Sequence, residues 1–133
     1  ALLLDYAQVQ TPETMQGKSF RKQLQTNDAP GRKYTYYRYW EHSTNRPAHY
    51  GVRSNRYKLI YYYGEGLGMK SAQKETTPPS WEFYDLEKDP KEYTNAINDP
   101  NYKTAILELH QALKAEKAYY EDELVAVPAI EFK

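Results

Sequence analysis

Two histidines, His42 and His49, flank residues 43–47 ("STNRP"), a stretch with the composition of a turn. If that turn is symmetric, the two imidazoles face each other across a hairpin, and a facing pair can begin a metal site. A metal needs a third ligand, and none stands at a suitable spacing. The simpler reading makes both rings polar residues at strand ends. His110 flanks an apolar stripe and reads as a surface or boundary residue. Asp85, Glu87 and Asp89 are close in sequence, but they fall at a strand end and a turn, where carboxylates bond to backbone amides. "GEGLG", residues 64–68, has the glycines of a phosphate loop, yet "KSAQKETTPPS" follows it and cannot supply the helix such a loop needs. No serine sits in a nucleophile elbow, and no two carboxylates are placed as an acid–base pair. The residues offer no catalytic group and no metal ligand set.

A second chemistry is adsorption on aromatic rings. Arg38, Arg53, Arg56 and Lys58 lie on runs dense in tyrosine, and interleaved rings and cations bind sugars or single-stranded nucleic acid. The acidic residues of "EFYDLEKD" oppose an anion-binding sheet. The alternative is that one ring-bearing face meets a helix and the other meets a neighbouring domain.

The composition agrees with an accessory role. In 133 residues there are 15 tyrosines, no cysteine, and 18 basic against 18 acidic side chains. The mean hydropathy is −0.96. A core built from tyrosines needs hydrogen-bond partners for its hydroxyls, and a larger neighbour would supply them. Zero net charge gives no field that attracts nucleic acid or an anionic membrane. The absence of cysteine excludes a disulfide framework and a thiolate nucleophile. No apolar run reaches membrane-spanning length. The opening "ALLLDYAQVQ" has no basic leader and reads as the interior of a longer polypeptide.

The elements that would position these side chains follow from periodicity. Residues 1–7 have helical spacing, and a short helix is expected over 20–25 with Ser19 as its cap. "KYTYYRYWEH", "AHYGVRS" and "RYKLIYYY" alternate as strands. Tyr34, Tyr36, Arg38 and Trp40 share one face of the first, and Tyr57, Leu59, Tyr61 and Tyr63 share one face of the third. A long polar loop, expected to be exposed and mobile, leads to a fourth strand, "WEFYDLE". Asp99 followed by Pro100 signals a helix start, and an apolar stripe through Tyr102, Ile106, Leu109 and Leu113 carries a helix to about Asp122. The tail, 124–133, in which Pro128 blocks further helix, is expected to dock on the missing part of the protein. The fold class is α+β: about four antiparallel strands with one long C-terminal helix packed on one face.

Three segments, in this order, resemble the C-terminal subdomain of the type I, formylglycine-dependent sulfatases of the alkaline phosphatase superfamily. They are "LLLDYAQVQTPETMQGKSF", "HYGVRSNRYKLIYYY" and "WEFYDLEKDPKEYTN". The family's counterparts are an Asp-Tyr-Ala helix end with a Pro-x-x-Met-Gln-Gly-Arg/Lys-Ser loop, a Val-Arg-Thr-x-x-Tyr-Lys-Leu-Ile strand pair, and Glu-Leu-Tyr-Asp-Leu-x-x-Asp-Pro-x-Glu-x-x-Asn. The resemblance covers the chain to about Tyr120.

The resemblance implies residues 1–31 as the end of a large sulfatase domain and linker, 32–123 as the C-terminal subdomain, and 124–133 as a tail. It implies a parent enzyme that hydrolyses sulfate esters, similar to bacterial sulfatases of glycosaminoglycan or mucin sugars such as N-acetylglucosamine 6-sulfate. The family's hydrated formylglycine comes from a Cys/Ser-x-Pro-x-Arg motif absent from these residues, and its calcium ligands belong to the N-terminal catalytic domain. No activity is therefore expected of this chain alone. Its expected partners are that catalytic domain and, at one edge, a sulfated sugar. No nucleic acid and no membrane are expected, and exposed rings favour self-association. His49 matches a position that in similar sulfatases contacts sugar hydroxyls, and Arg53 is expected to pair with a carboxylate under the sheet. The parent protein is expected to be periplasmic or secreted. The other function class left open is an independent aromatic module binding glycans or nucleic acid.

Overall fold

The computed structural model describes residues 1–132. The chain forms two compact units, Ala1–Lys33 and Tyr34–Lys133. The first contains helices α1 (Leu2–Tyr6) and α2 (Arg21–Gln25), of five residues each. None of its residues is buried. Its internal tie is polar: Asp5 accepts from the Ser19 hydroxyl and pairs with Arg21 at 3.2 Å.

The second unit is a sheet under a helix. Strands β1 (Thr35–Tyr39), β2 (His49–Arg53), β3 (Tyr57–Tyr62) and β4 (Ser80–Asp85) form an antiparallel meander in chain order. The register pairs Tyr37 with Gly51, Gly51 with Ile60, and Ile60 with Glu82. A one-turn 3-10 helix, Pro100–Tyr102, runs into α3 (Lys103–Tyr119). Its start is the expected one: the Asp99 carboxylate accepts from the Asn101 amide, and Pro100 follows. Its end comes three residues before Asp122. Glu121 takes a positive φ of 54°, and the Asp122 amide closes back on the Lys117 carbonyl at 2.9 Å.

Alternation assigns the two faces of the sheet. Tyr50, Val52, Leu59 and Phe83 turn toward α3 and meet Ile106, Leu109 and Leu113. Each of these is at most 2% exposed, so they form the apolar core. Tyr37, His49, Arg53, Lys58, Tyr62, Glu82 and Tyr84 share the opposite face.

Two histidines, one read as a strand-end residue and one as a surface or boundary residue, are buried. His42 does not face His49, whose partner across the ladder is Tyr39. The His42 ring is 1% exposed, with Nε2 2.7 Å from the Glu75 carbonyl and Nδ1 accepting from the Ala48 amide. His110 is buried against the edge of Trp81, with Nε2 2.8 Å from the Pro128 carbonyl. Both changes have one cause: a neighbouring segment folds back over the ring. The tail supplies that segment for His110, and so it docks on the core of this sheet and helix, not on a part of the protein outside these residues as the sequence suggested. Val125, Val127, Ile130 and Phe132 pack on the core, and the Tyr50 hydroxyl donates to the Ala126 carbonyl. The long loop after β3 does the same for His42. Its base is closed by Thr77 N–H to the Gly64 carbonyl, and its middle by Gln73 N–H to the His42 carbonyl.

Candidate functional site

The face of the sheet opposite α3 carries a cleft of about 460 Å³, with His49 at one end and Tyr84 and Glu92 at the other. Gly51 sets its floor. A Cβ there would lie 2.9 Å from Cζ of Tyr37, so the Tyr37 ring lies flat over strand β2 only because residue 51 has no side chain. Tyr62 and Tyr84 extend the aromatic surface from β3 and β4.

His49 sits in a box of rings. Its centroid is 5.4 Å from Tyr39 in a stack, 4.9 Å from Tyr62, and 5.9 Å from Tyr37 edge-on. Nδ1 is 2.8 Å from the Pro47 carbonyl. A carbonyl only accepts, so Nδ1 carries the proton, and Nε2 of the neutral ring is left as an acceptor. The ring therefore presents one nitrogen to a ligand.

The charges on this face are largely matched. Lys58 pairs with Glu92 at 2.6 Å, and the Tyr84 hydroxyl donates to Glu82 at 3.0 Å. Burial, then the nearby Glu82 carboxylate, pushes the Tyr62 hydroxyl up to about 12. Burial raises Tyr37 and Tyr84 as well. These hydroxyls stay protonated at neutral pH and act as donors. Arg53 is exposed and forms no ion pair among the described residues, contrary to the sequence expectation. The arginine paired under the sheet is Arg56, whose Nε and Nη2 bond both oxygens of Asp85 at 3.0 and 2.8 Å.

Sequence reasoning missed a second polar centre at the other end of α3. Asp122 accepts from the Tyr36 hydroxyl and from Arg38, and lies 3.2 Å from Lys117 Nζ. The Arg38 guanidinium stacks 3.8 Å from the Trp40 ring. The placement of Arg38 on the helix-facing side of β1 was the only signal. Among the described residues no three His, Cys, Asp or Glu side chains gather as a metal site, and no helix is long and apolar enough to cross a membrane. Calcium takes six or more oxygen ligands, several of them carboxylates, and no cluster of three acidic side chains that could supply them occurs among the described residues.

Residues 1–119 match the family described as N-sulphoglucosamine sulphohydrolase, C-terminal. The chain belongs to this sulfatase C-terminal family. It is 33% identical over 126 residues to an N-acetylglucosamine-6-O-sulfatase of Bacteroides thetaiotaomicron, a match that covers 90% of this chain and 20% of that protein. An arylsulfatase of Clostridium perfringens is 28% identical over 114 residues, covering 86% of this chain and 20% of its own length. The chain thus spans about a fifth of the length of these relatives. Among solved structures, one in complex with its substrate D-glucosamine-2-N,6-O-disulfate superimposes with a TM-score of 0.76 at 31% identity, over 92% of this chain and 23% of that one. The phosphonate monoester hydrolase of Agrobacterium radiobacter shares the fold at a TM-score of 0.62 and 18% identity, over 88% of this chain and 23% of its own. The four-stranded sheet with its C-terminal helix is the architecture of this sulfatase subdomain.

Proposed function

We propose that this chain is the C-terminal part of a sulfuric ester hydrolase acting on sulfated glucosamine-type sugars, that it packs on the catalytic domain of that enzyme, and that it is inactive alone. The match to an N-acetylglucosamine-6-O-sulfatase carries this reading, because it spans the sheet that bears the uncovered ring-lined face. Bond breaking, with the formylglycine and calcium it uses in the family, is assigned to polypeptide outside these residues. The enzyme is taken to work in the periplasm or outside the cell.

In this reading His49 reaches the sugar. Its free Nε2 accepts from a hydroxyl, while Pro47, Tyr39 and Tyr62 hold the ring in place. The matched charges on the sheet face give little pull on a polyanion such as nucleic acid.

The test pairs the chain with the enzyme encoded by the complete gene. The gene should contain a Cys/Ser-x-Pro-x-Arg motif upstream, and the enzyme should hydrolyse N-acetylglucosamine 6-sulfate. His49→Ala should raise KM about tenfold, the worth of one hydrogen bond. The chain alone should not turn over an aryl sulfate. Hydrolysis by the isolated chain, or a KM untouched by His49→Ala, would overturn the corresponding half of the proposal.

A further inference from the structure

The register across β1, β2 and β3 sorts the face opposite α3 into three rows. His49 and Tyr62 stand in the first, Tyr37 and Gly51 in the second, and Thr35, Arg53 and Lys58 in the third. Successive rows lie two residues apart along each strand. The rows of His49 and Arg53 are therefore about 13 Å apart at the backbone.

The third row sets two cations opposite each other. The Ser54 amide bonds the Tyr57 carbonyl, so the next pair in the ladder, Arg53 and Lys58, is a non-hydrogen-bonded one, in which side chains stand closest. Like charges so placed oppose strand pairing. The fold answers only one of them. Lys58 holds Glu92 at 2.6 Å, and Glu92, in the turn after β4, takes a positive φ of 56°, uncommon for a residue with a side chain. Arg53 is exposed and has no counter-charge among the described residues. The other carboxylate of this face, Glu82, lies in the middle row two strands away and accepts from Tyr84.

The two ends of the cleft therefore differ in polarity. At the first row, Nε2 of His49 is an acceptor and suits a hydroxyl, not an anion. At the third row, a guanidinium with donors only stands between an ammonium and the Thr35 hydroxyl. That set suits a sulfate or a carboxylate.

We propose that Arg53 and Lys58, with Thr35 beside them, form a subsite for a second anionic group of the glycan, a sulfate or carboxylate distinct from the ester that is hydrolysed. The sugar held by His49 lies at the first row, and its neighbour crosses the Tyr37 ring and brings the anionic group to Arg53. A span of about 13 Å exceeds a single pyranose ring, so the group belongs to the adjacent sugar. Arg53 is then a specificity-determining residue that selects a charged oligosaccharide over a single sugar. The inference rests on the sulfatase reading above and adds to it the length and charge of the substrate.

Steady-state kinetics of the enzyme encoded by the complete gene test it. Three disaccharides carry N-acetylglucosamine 6-sulfate on a neutral hexose, on a uronic acid, and on a hexose with its own sulfate. For at least one of the two anionic disaccharides, kcat/KM should exceed that for the neutral one at least tenfold. The preferred one identifies the group as carboxylate or sulfate. The preference should shrink as ionic strength rises. Arg53→Gln should bring the ratio of anionic to neutral kcat/KM to about one, and Arg53→Lys should keep most of it. Arg53→Gln removes a like-charge pair, so urea unfolding should find it no less stable than the wild type. The proposal fails, and the sulfatase reading stands, if the enzyme hydrolyses all three disaccharides alike or if the ratio survives Arg53→Gln. It also fails if Arg53→Gln does not fold, since Arg53 would then be a structural group. No hydrolysis of any of the three by the wild type overturns the sulfatase reading and the subsite with it.

Discussion

The Tyr37 hydroxyl lies where a side chain at Gly51 would begin: a Cβ on residue 51 would stand 2.8 Å from that oxygen and 2.6 Å from the Leu59 carbonyl. The tyrosine can swing aside, but the carbonyl belongs to β3 and cannot. Gly51→Ala should therefore lower stability by about 1–3 kcal/mol, the usual cost of overpacking. Urea unfolding measures it. Adding Tyr37→Ala to Gly51→Ala should recover only part of the loss relative to Tyr37→Ala alone, because the clash with Leu59 remains. Full recovery would place the strain on the ring instead.

Gly51 also marks what was legible in the sequence. Strand alternation is a local property, so the faces of β1 and β3 and the Asp99–Pro100 helix start could be read from neighbouring residues. A glycine inside a tyrosine-rich strand gave no hint of which ring lay over it. His42 and His110 look like strand-end and boundary residues by local pattern, and each is buried by a segment remote in sequence. The loop at Glu75 covers the first and the tail at Pro128 the second. Periodicity records which face a residue is on, not what later folds over it. In the candidate site, His49 came from a resemblance and not from a face assignment, and the use of its Nδ1 on Pro47 depends on backbone geometry.

Asp85 should dominate acid unfolding. The Arg56 fork, then the Tyr102 hydroxyl and the Glu87 amide, hold its carboxyl at about 2, below the ordinary 3.8. A carboxyl lowered on folding stabilises the native state above its unfolded value, and that contribution is lost as pH falls through the folded one. The stability owed to Asp85, about 2 kcal/mol, should be intact above pH of about 5 and decay down to about 2. Asp85→Asn should remove that slope from the pH dependence of the urea midpoint. A slope unchanged in the variant would assign the acid sensitivity to other carboxylates.

Asp122 and Lys117 should behave oppositely although they touch. Burial pushes the Asp122 carboxyl up, but the Tyr36 bond and the Arg38 and Lys117 charges outweigh it and leave the carboxyl below its usual value. Burial lowers Lys117. Asp122→Asn leaves two buried cations without a counter-charge and should cost about 3–5 kcal/mol. Lys117→Met removes the poorly solvated amine while Arg38 keeps Asp122, so its effect should stay within about 1 kcal/mol of neutral in either direction. Thermal unfolding of both variants checks the order. Equal losses would mean that Lys117 and Asp122 act as a single pair.

His42 should hold the loop after β3 rather than the sheet. The Ala48 amide can only donate, so Nδ1 of His42 keeps its lone pair and Nε2 carries the proton given to Glu75. Nitrogen NMR should find that single tautomer. His42→Ala orphans the Glu75 carbonyl and the Ala48 amide, at a cost of about 1–3 kcal/mol. The loss should be local first. The Gln73 and Thr77 amides, which tie the loop to His42 and Gly64, should exchange faster than the amides of β2 and β3. Gly64 ties the two ends of the loop together: its φ is +66°, and a Cβ there would run into the Thr77 carbonyl, so loop base and loop end should open together. If exchange at Gln73 and Thr77 is the same in His42→Ala as in the wild type, the imidazole is not what closes the loop.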